Sequence, residues 1–167
     1  CERRPSVQEI RGIDGAMKIV IGSDHAGLSL KEELKGFLDS LGYRAHDMGT
    51  HSDQASDYPD YAAKVAEAVS MGQFQRGVLV CGSGIGMAIV ANKFPNVRAV
   101  VCLDEETARI SRCHNDTNII ALAERRTNTE TAQRILKTWL ETEFEGGRHK
   151  ARLDKIRDVE RRLSGKD

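Results

Sequence analysis

Five times along this chain a short apolar run of strand length gives way to a longer segment of helical periodicity. No other feature constrains the fold as strongly. Strands joined through helices pair in parallel, and a parallel sheet needs helices over both faces. The apolar runs cover residues 18–22, 43–47, 77–81, 98–102 and 118–122. Between them, Leu30, Leu34, Phe37, Leu38 and Leu41 share one helical stripe, and Tyr61, Ala62, Val65 and Val69 share the next. Met87, Ile89 and Val90 mark a third helix, and Ala132, Ile135, Leu136, Trp139 and Leu140 a later one. Gly42 and Gly72 stop the first two helices, and Asp60 is placed to cap the second. Asp104, Glu105 and Glu106 put three acids at a helix start, where the macrodipole favours them. Thr127-x-x-Glu130 reads as a capping box. A last stripe, Leu153, Ile156, Val159 and Leu163, has no strand after it.

The predicted architecture is α/β. It is a Rossmann-like, doubly wound, five-stranded parallel sheet with right-handed crossovers, helices on both faces and a C-terminal helical arm. One domain over 17–163 accounts for the pattern. Residues 1–16 are polar and aperiodic, and read as a disordered extension or tag remnant, with 164–167 as a tail.

Composition narrows the function. Twenty-five basic residues cancel twenty-five acidic ones, so no global charge draws the chain to nucleic acid or membrane. No apolar run approaches the roughly 20 residues of a membrane span. Cys1, Cys81, Cys102 and Cys113 form no C-x-x-C pair, and no signal peptide is visible. Reduced thiols and a cytoplasmic location are therefore expected. No metal site is expected either. His46 and His51 flank Gly49 as loop histidines, without the short ligand pairs that zinc uses.

Ligands of such sheets bind beyond the carboxyl ends of the strands. The third strand ends in Cys81-Gly82-Ser83-Gly84-Ile85-Gly86. Three glycines in five residues let backbone N–H groups face one point at a helix start, as an anion would need. The alternative is a tight strand-to-helix turn without ligand. The Walker pattern is absent, and the G-x-G-x-G spacing departs from the dinucleotide G-x-G-x-x-G. Asp104 lies at a suitable distance for a ribose contact, which keeps nucleotide binding open. Cys81 precedes the turn, where a following helix favours thiolate over thiol; the alternative is an inert buried cysteine. Asp24 and His25 follow the first strand and suit sugar hydroxyls or phosphate, or a cap and a turn. His114 and Asn115 precede the fifth strand and offer a proton carrier beside an amide, or a polar helix end. Arg148 and Arg152, four apart after Gly146-Gly147, form a fork for a phosphate dianion or a solvated basic turn.

Taken together, these segments resemble the type B ribose-5-phosphate isomerases, grouped with the galactose-6-phosphate isomerase subunits. The resemblance rests on Gly22-Ser23-Asp24-His25-Ala26-Gly27, Asp57-Tyr58-Pro59, the glycine turn, Ala91-Asn92-Lys93, Arg98-Ala99-Val100, His114-Asn115-Asp116-Thr117-Asn118 and Glu145-Gly146-Gly147-Arg148-His149. It implies a cofactor-free aldose–ketose isomerase acting on a sugar phosphate through a cis-enediolate. Cys81 would be the base, and His114 would assist ring opening. The turn from Gly82 through Ser83, Gly84 and Ile85 to Gly86 would stabilise the enediolate oxygen. Asp24, His25, Tyr58, Asn115, Arg125, Arg148 and Arg152 would contact the sugar phosphate. The family also implies a homodimer with its sites at the subunit interface. Met87 stands where one subtype carries a glutamate base, so the cysteine subtype applies. A six-carbon substrate, such as allose or galactose 6-phosphate, is the near alternative. A non-catalytic nucleotide-binding module is the distant one.

Overall fold

A computed structural model describes residues 17–165. The expectation for 1–16 and the end of the tail lie outside the described residues. The strands are β1 (Ile19–Ser23), β2 (Ala45–Asp47), β3 (Arg76–Cys81), β4 (Ala99–Val101) and β5 (Ile119–Ala123). The helices are α1 (Leu28–Ser40), α2 (Tyr58–Ser70), α3 (Ile85–Ala91), α4 (Glu105–Asn115), α5 (Thr129–Glu141) and α6 (Arg148–Leu163), with a 3₁₀ turn over His25–Gly27 before α1. All strands pair in parallel, in the order β2-β1-β3-β5-β4. The expected architecture is the observed one.

Side-chain alternation along the strands builds two apolar layers. Val78 and Val80 of β3 join Leu34 and Leu38 of α1 and Ile135 and Trp139 of α5 on one face. Leu79 and Cys81 join Val65 of α2 and Met87 of α3 on the other. Each fully buried Leu, Ile or Val contributes about 1.5–3 kcal/mol. Trp139 is fully buried, and its indole N–H donates to Thr117 Oγ1 at 2.9 Å, so its one polar atom is satisfied. Cys81 and Cys102 are free, whereas Cys113 on α4 is disulfide-bonded.

Two helix starts differ from expectation. Asn128, not Thr127, caps α5, its side chain accepting from the Thr131 N–H at 2.8 Å. Helix α2 begins at Tyr58 behind Asp57, which leaves Asp60 inside the first turn. Pro59 explains the shift: proline suits the first helical turn, where no N–H is needed. Asp104 caps α4 as its acidic run suggests, accepting from Thr107 N–H at 2.6 Å.

The order of the sheet sets the site. The chain leaves β1 for β2 on one side, then crosses to β3 on the other. The carboxyl ends of β1 and β3 therefore lie side by side at a topological switch point. Ser23 pairs with Val80, and Cys81 with Ala123, along that edge. The 3₁₀ turn packs directly onto β3. A Cβ on Gly27 would lie 2.3 Å from the Val80 carbonyl oxygen, so only glycine allows this approach.

Candidate active site

At the switch point the ends of β1, β3 and β5 enclose a cleft of about 380 Å³. From β1 come Asp24 and His25, and from β3 Cys81, Gly82 and Ser83. Gly86 at the start of α3, Tyr58 at the start of α2 and Arg125 after β5 complete its expected lining. Cys81 is only 5% exposed and belongs to one core layer, yet it also borders this cleft. Its Sγ accepts a hydrogen bond from the Gly84 N–H at 3.1 Å.

The glycine turn works differently from the simple cradle. The N–H of Gly84 is on the sulfur, and that of Ile85 is on Ser83 Oγ at 3.3 Å. Gly84 and Ile85 do not line the cleft, and the Ile85 side chain is exposed on the outer surface. Both expectations are corrected: these positions shape the turn, and their donors are already used. The N–H groups of Ser83 and Gly86 have no acceptor among the described residues and border the cleft. Gly84 adopts φ +76°, a left-handed conformation that a side chain would strain.

Neighbouring groups fix the walls. The His25 N–H donates to Ser56 Oγ at 3.2 Å, and the Ser56 N–H donates to His25 Nδ1 at 3.1 Å. The same Nδ1 lies 3.2 Å from the Ser56 carbonyl oxygen, so Ser56 holds His25 by its backbone as well as by its hydroxyl. Asp24 Oδ1 and Ser23 Oγ are buried without partners. Burial pushes the Asp24 carboxyl up from its usual range, opposed by His25, the Ala26 and Gly27 N–H groups and Arg125. The Tyr58 ring lies so close that a Cβ on Gly86 would be 2.6 Å from it, which closes the cleft on that side. Below the β2 end, fully buried Lys31 bonds Asp47 and the Thr50 carbonyl. Burial opposes ionisation of Asp47, but Lys31, Lys35 and the Gly49 N–H outweigh it and hold the carboxyl below its usual range.

The remaining expected residues are elsewhere. Helix α4 runs back to the amino edge of the sheet before β5 starts, and carries His114 and Asn115 there. The Asn118 carbonyl accepts from Gly77 N–H, level with the start of β3. Cys81 is four residues further on, about 13 Å along the strand direction. His114 stacks on His149 with centroids 4.3 Å apart and planes 7° from parallel. Glu145 Oε2 lies 3.7 Å from both Nε2 atoms. Burial first, then His114 and Arg148, hold His149 below its usual range, with Glu145 opposing. Arg148 and Arg152 open α6 beside this stack. In one chain, then, His114, Asn115, Arg148 and Arg152 form a second cluster, apart from the Cys81 cleft.

Neither carboxylate–histidine group suits a metal ion. His114, Glu145 and His149 bring ligand atoms within 4.8 Å, as do Glu32, Asp47 and His51. Parallel stacked rings aim their lone pairs along parallel lines, and an ion about 2.1 Å from both nitrogens would leave both ring planes. Asp47 already holds two ammonium groups, each at 2.8 Å, which repel a third cation.

Two cleft residues were not anticipated, Ala26 and Arg126. Ala26 has no chemistry to announce it. Arg126 adjoins Arg125 in a strand-end turn, and its place after β5 was the available signal.

Fold and cleft together define an α/β enzyme that receives a small anionic substrate beyond the strand ends. Residues 19–156 match the Ribose/Galactose Isomerase family. Ribose-5-phosphate isomerase B of Escherichia coli strain K12 is 45% identical over 145 residues, covering 87% of this chain and 97% of that protein. The structure of Clostridium thermocellum ribose-5-phosphate isomerase B is similar with a TM-score of 0.86 and 50% identity, over 88% of this chain and 99% of that one. Mycoplasma genitalium ribose-5-phosphate isomerase B, with bound ribulose-5-phosphate, gives 0.84 at 36% identity, over 87% and 97%. The chain belongs to the ribose/galactose isomerase family. No helix among the described residues is long and apolar enough to cross a membrane.

Proposed function

We propose that this protein interconverts ribose 5-phosphate and ribulose 5-phosphate in the cytoplasm, as a homodimer whose sites form between subunits. The observation that carries the reading is the Cys81 sulfur bordering a cleft with two unpaired amide donors and an arginine. Membership of the family and the likeness to ribose-5-phosphate isomerases B support the substrate.

In this scheme the open-chain aldehyde enters the cleft, and thiolate Cys81 takes the proton from C2. The C–H electron pair becomes the C1–C2 double bond, and negative charge moves to O1. The Ser83 and Gly86 N–H groups are the free donors for that charge, each worth about 3–4 kcal/mol by comparison with oxyanion holes. A proton passes from O2 to O1, the C2 carbonyl forms, and the Cys81 thiol returns its proton to C1. The Gly84 N–H on Sγ stabilises the sulfur while it is charged. Asp24 and Tyr58 face the sugar hydroxyls. Arg125 and His25 meet the phosphate, whose binding energy holds the chain in a reactive pose.

Dimerisation is supported by the two separated clusters. A second chain, turned end to end, brings its own His114, Asn115, Arg148 and Arg152 to the Cys81 cleft. There His114 opens the sugar ring and the two arginines complete the phosphate grip. The outer part of α6 fits such an arm, with Ile156, Val159 and Leu163 exposed while Leu153 is buried.

The test is a parallel assay of purified protein on ribose 5-phosphate, allose 6-phosphate and galactose 6-phosphate. Preference for ribose 5-phosphate is expected. An extra carbon displaces the phosphate by roughly 1.3–1.5 Å, a bond-length estimate. Turnover of the six-carbon sugars alone would contradict the substrate assignment.

A further inference from the structure

Arg126 follows Arg125 in the short turn after β5, and these two exposed residues both line the Cys81 cleft. The backbone of that turn is tied to the catalytic strand. The Glu124 N–H donates to the Cys81 carbonyl at 3.0 Å, the Arg125 N–H to the Gly82 carbonyl at 3.1 Å, and the Arg126 N–H to the Ala123 carbonyl at 3.1 Å. The position from which Arg126 reaches is thus set by the sheet, not by a free loop.

Its charge is uncommitted. Arg109 pairs with Glu106, Arg134 with Glu105 and Glu130, and Arg157 with Asp154. Among the described residues, no carboxylate lies within ion-pair distance of Arg125 or Arg126. Among the described residues Asp24 is the sole acid lining the cleft, and burial disfavours its charged form. Two guanidiniums facing one reluctant carboxyl leave the cleft with surplus positive charge. A phosphate dianion carries three terminal oxygens with several lone pairs each, enough for a second guanidinium of this cleft beside Arg125 as well as for the arginines of a partner chain.

We propose that Arg126 is a second anion-binding guanidinium of this cleft and grips the substrate's phosphate beside Arg125. The proposal rests on the isomerase reading for its substrate, but not for the anion itself. Arg126→Gln is expected to raise KM for ribose 5-phosphate about tenfold, the lower end for a hydrogen bond between charged groups, with a smaller change in kcat. The inhibition constant of inorganic phosphate rises by the same factor, and Arg126→Lys recovers part of both. The melting temperature without phosphate stays unchanged, because Arg126 gives up no partner within the fold.

A second arm needs no turnover. In the Cys81→Ala background, inorganic phosphate raises the melting temperature, and Arg126→Gln reduces that increment. Equal increments with and without Arg126, or an unchanged KM and phosphate inhibition constant, overturn the proposal. Persistent turnover by Cys81→Ala would instead overturn the proposed chemistry, and leaves the phosphate comparison able to decide the role of Arg126.

Discussion

Cys81→Ala lowers kcat for ribose 5-phosphate by about 10²–10⁴-fold, the contribution of a positioned base. The sulfur is the only titratable atom at the end of β3, and its hydrogen bond from the Gly84 N–H orients it at the cleft. The substitution leaves the β3 ladder to β1 and β5 intact, because those bonds belong to the backbone. It removes one atom from a nearly buried position and leaves the Gly84 N–H without its acceptor, a cost of about 1–3 kcal/mol that lowers the melting temperature while the fold persists. Cys81→Ser keeps an acceptor for Gly84 but offers a far weaker base, and is expected to be nearly as inactive. Steady-state assays with a thermal melt on each variant check both halves. A kcat near that of the parent protein would take the sulfur out of the scheme.

The second large effect concerns the cluster at the opposite edge of the sheet. The double variant Arg148→Ala/Arg152→Ala loses about 10²–10⁴-fold in kcat/KM, from two charge-assisted contacts of about 1.5–3 kcal/mol each. Mixing this variant with Cys81→Ala, then unfolding and refolding them together, separates two architectures. If each site joins Cys81 of one chain to the arginines of the other, half of the dimers are mixed and each mixed dimer keeps one intact site. About one quarter of the parent activity then returns, by the symmetry of a two-site dimer. If each site is made by a single chain, the mixture stays as inactive as its components.

The split also shows how much of the molecule was readable beforehand. Strand and helix alternation placed every element, because period-2 and period-3.6 apolar patterns leave few alternatives over segments such as 77–81 and 129–141. Cys81 was legible for the same reason: a parallel strand that ends in a glycine turn delivers its last residue to the ligand edge. The donors of the turn were not. Whether the Gly84 N–H faces solvent or sulfur depends on side-chain geometry that spacing does not encode. The cap of α5 slipped by one residue because Thr127 and Asn128 are both competent, and their backbone angles decide between them. The place of His114 was available but unused. A helix that connects two parallel strands must return to the amino edge, so residues just before β5 cannot join a cleft at the carboxyl edge of their own chain. Arg126 carried only its place after β5 as a signal, and an arginine in a turn is an ordinary surface residue until its surroundings are known.

The most direct measurement follows the proton itself. Ribulose 5-phosphate is incubated with the enzyme in D₂O, and the C1 protons are followed by NMR. Base chemistry at Cys81 predicts that the parent protein exchanges one of the two C1 protons for deuterium, with the other retained, and that Cys81→Ala leaves both in place. Unchanged exchange by Cys81→Ala would contradict it, since another group would then be carrying the proton.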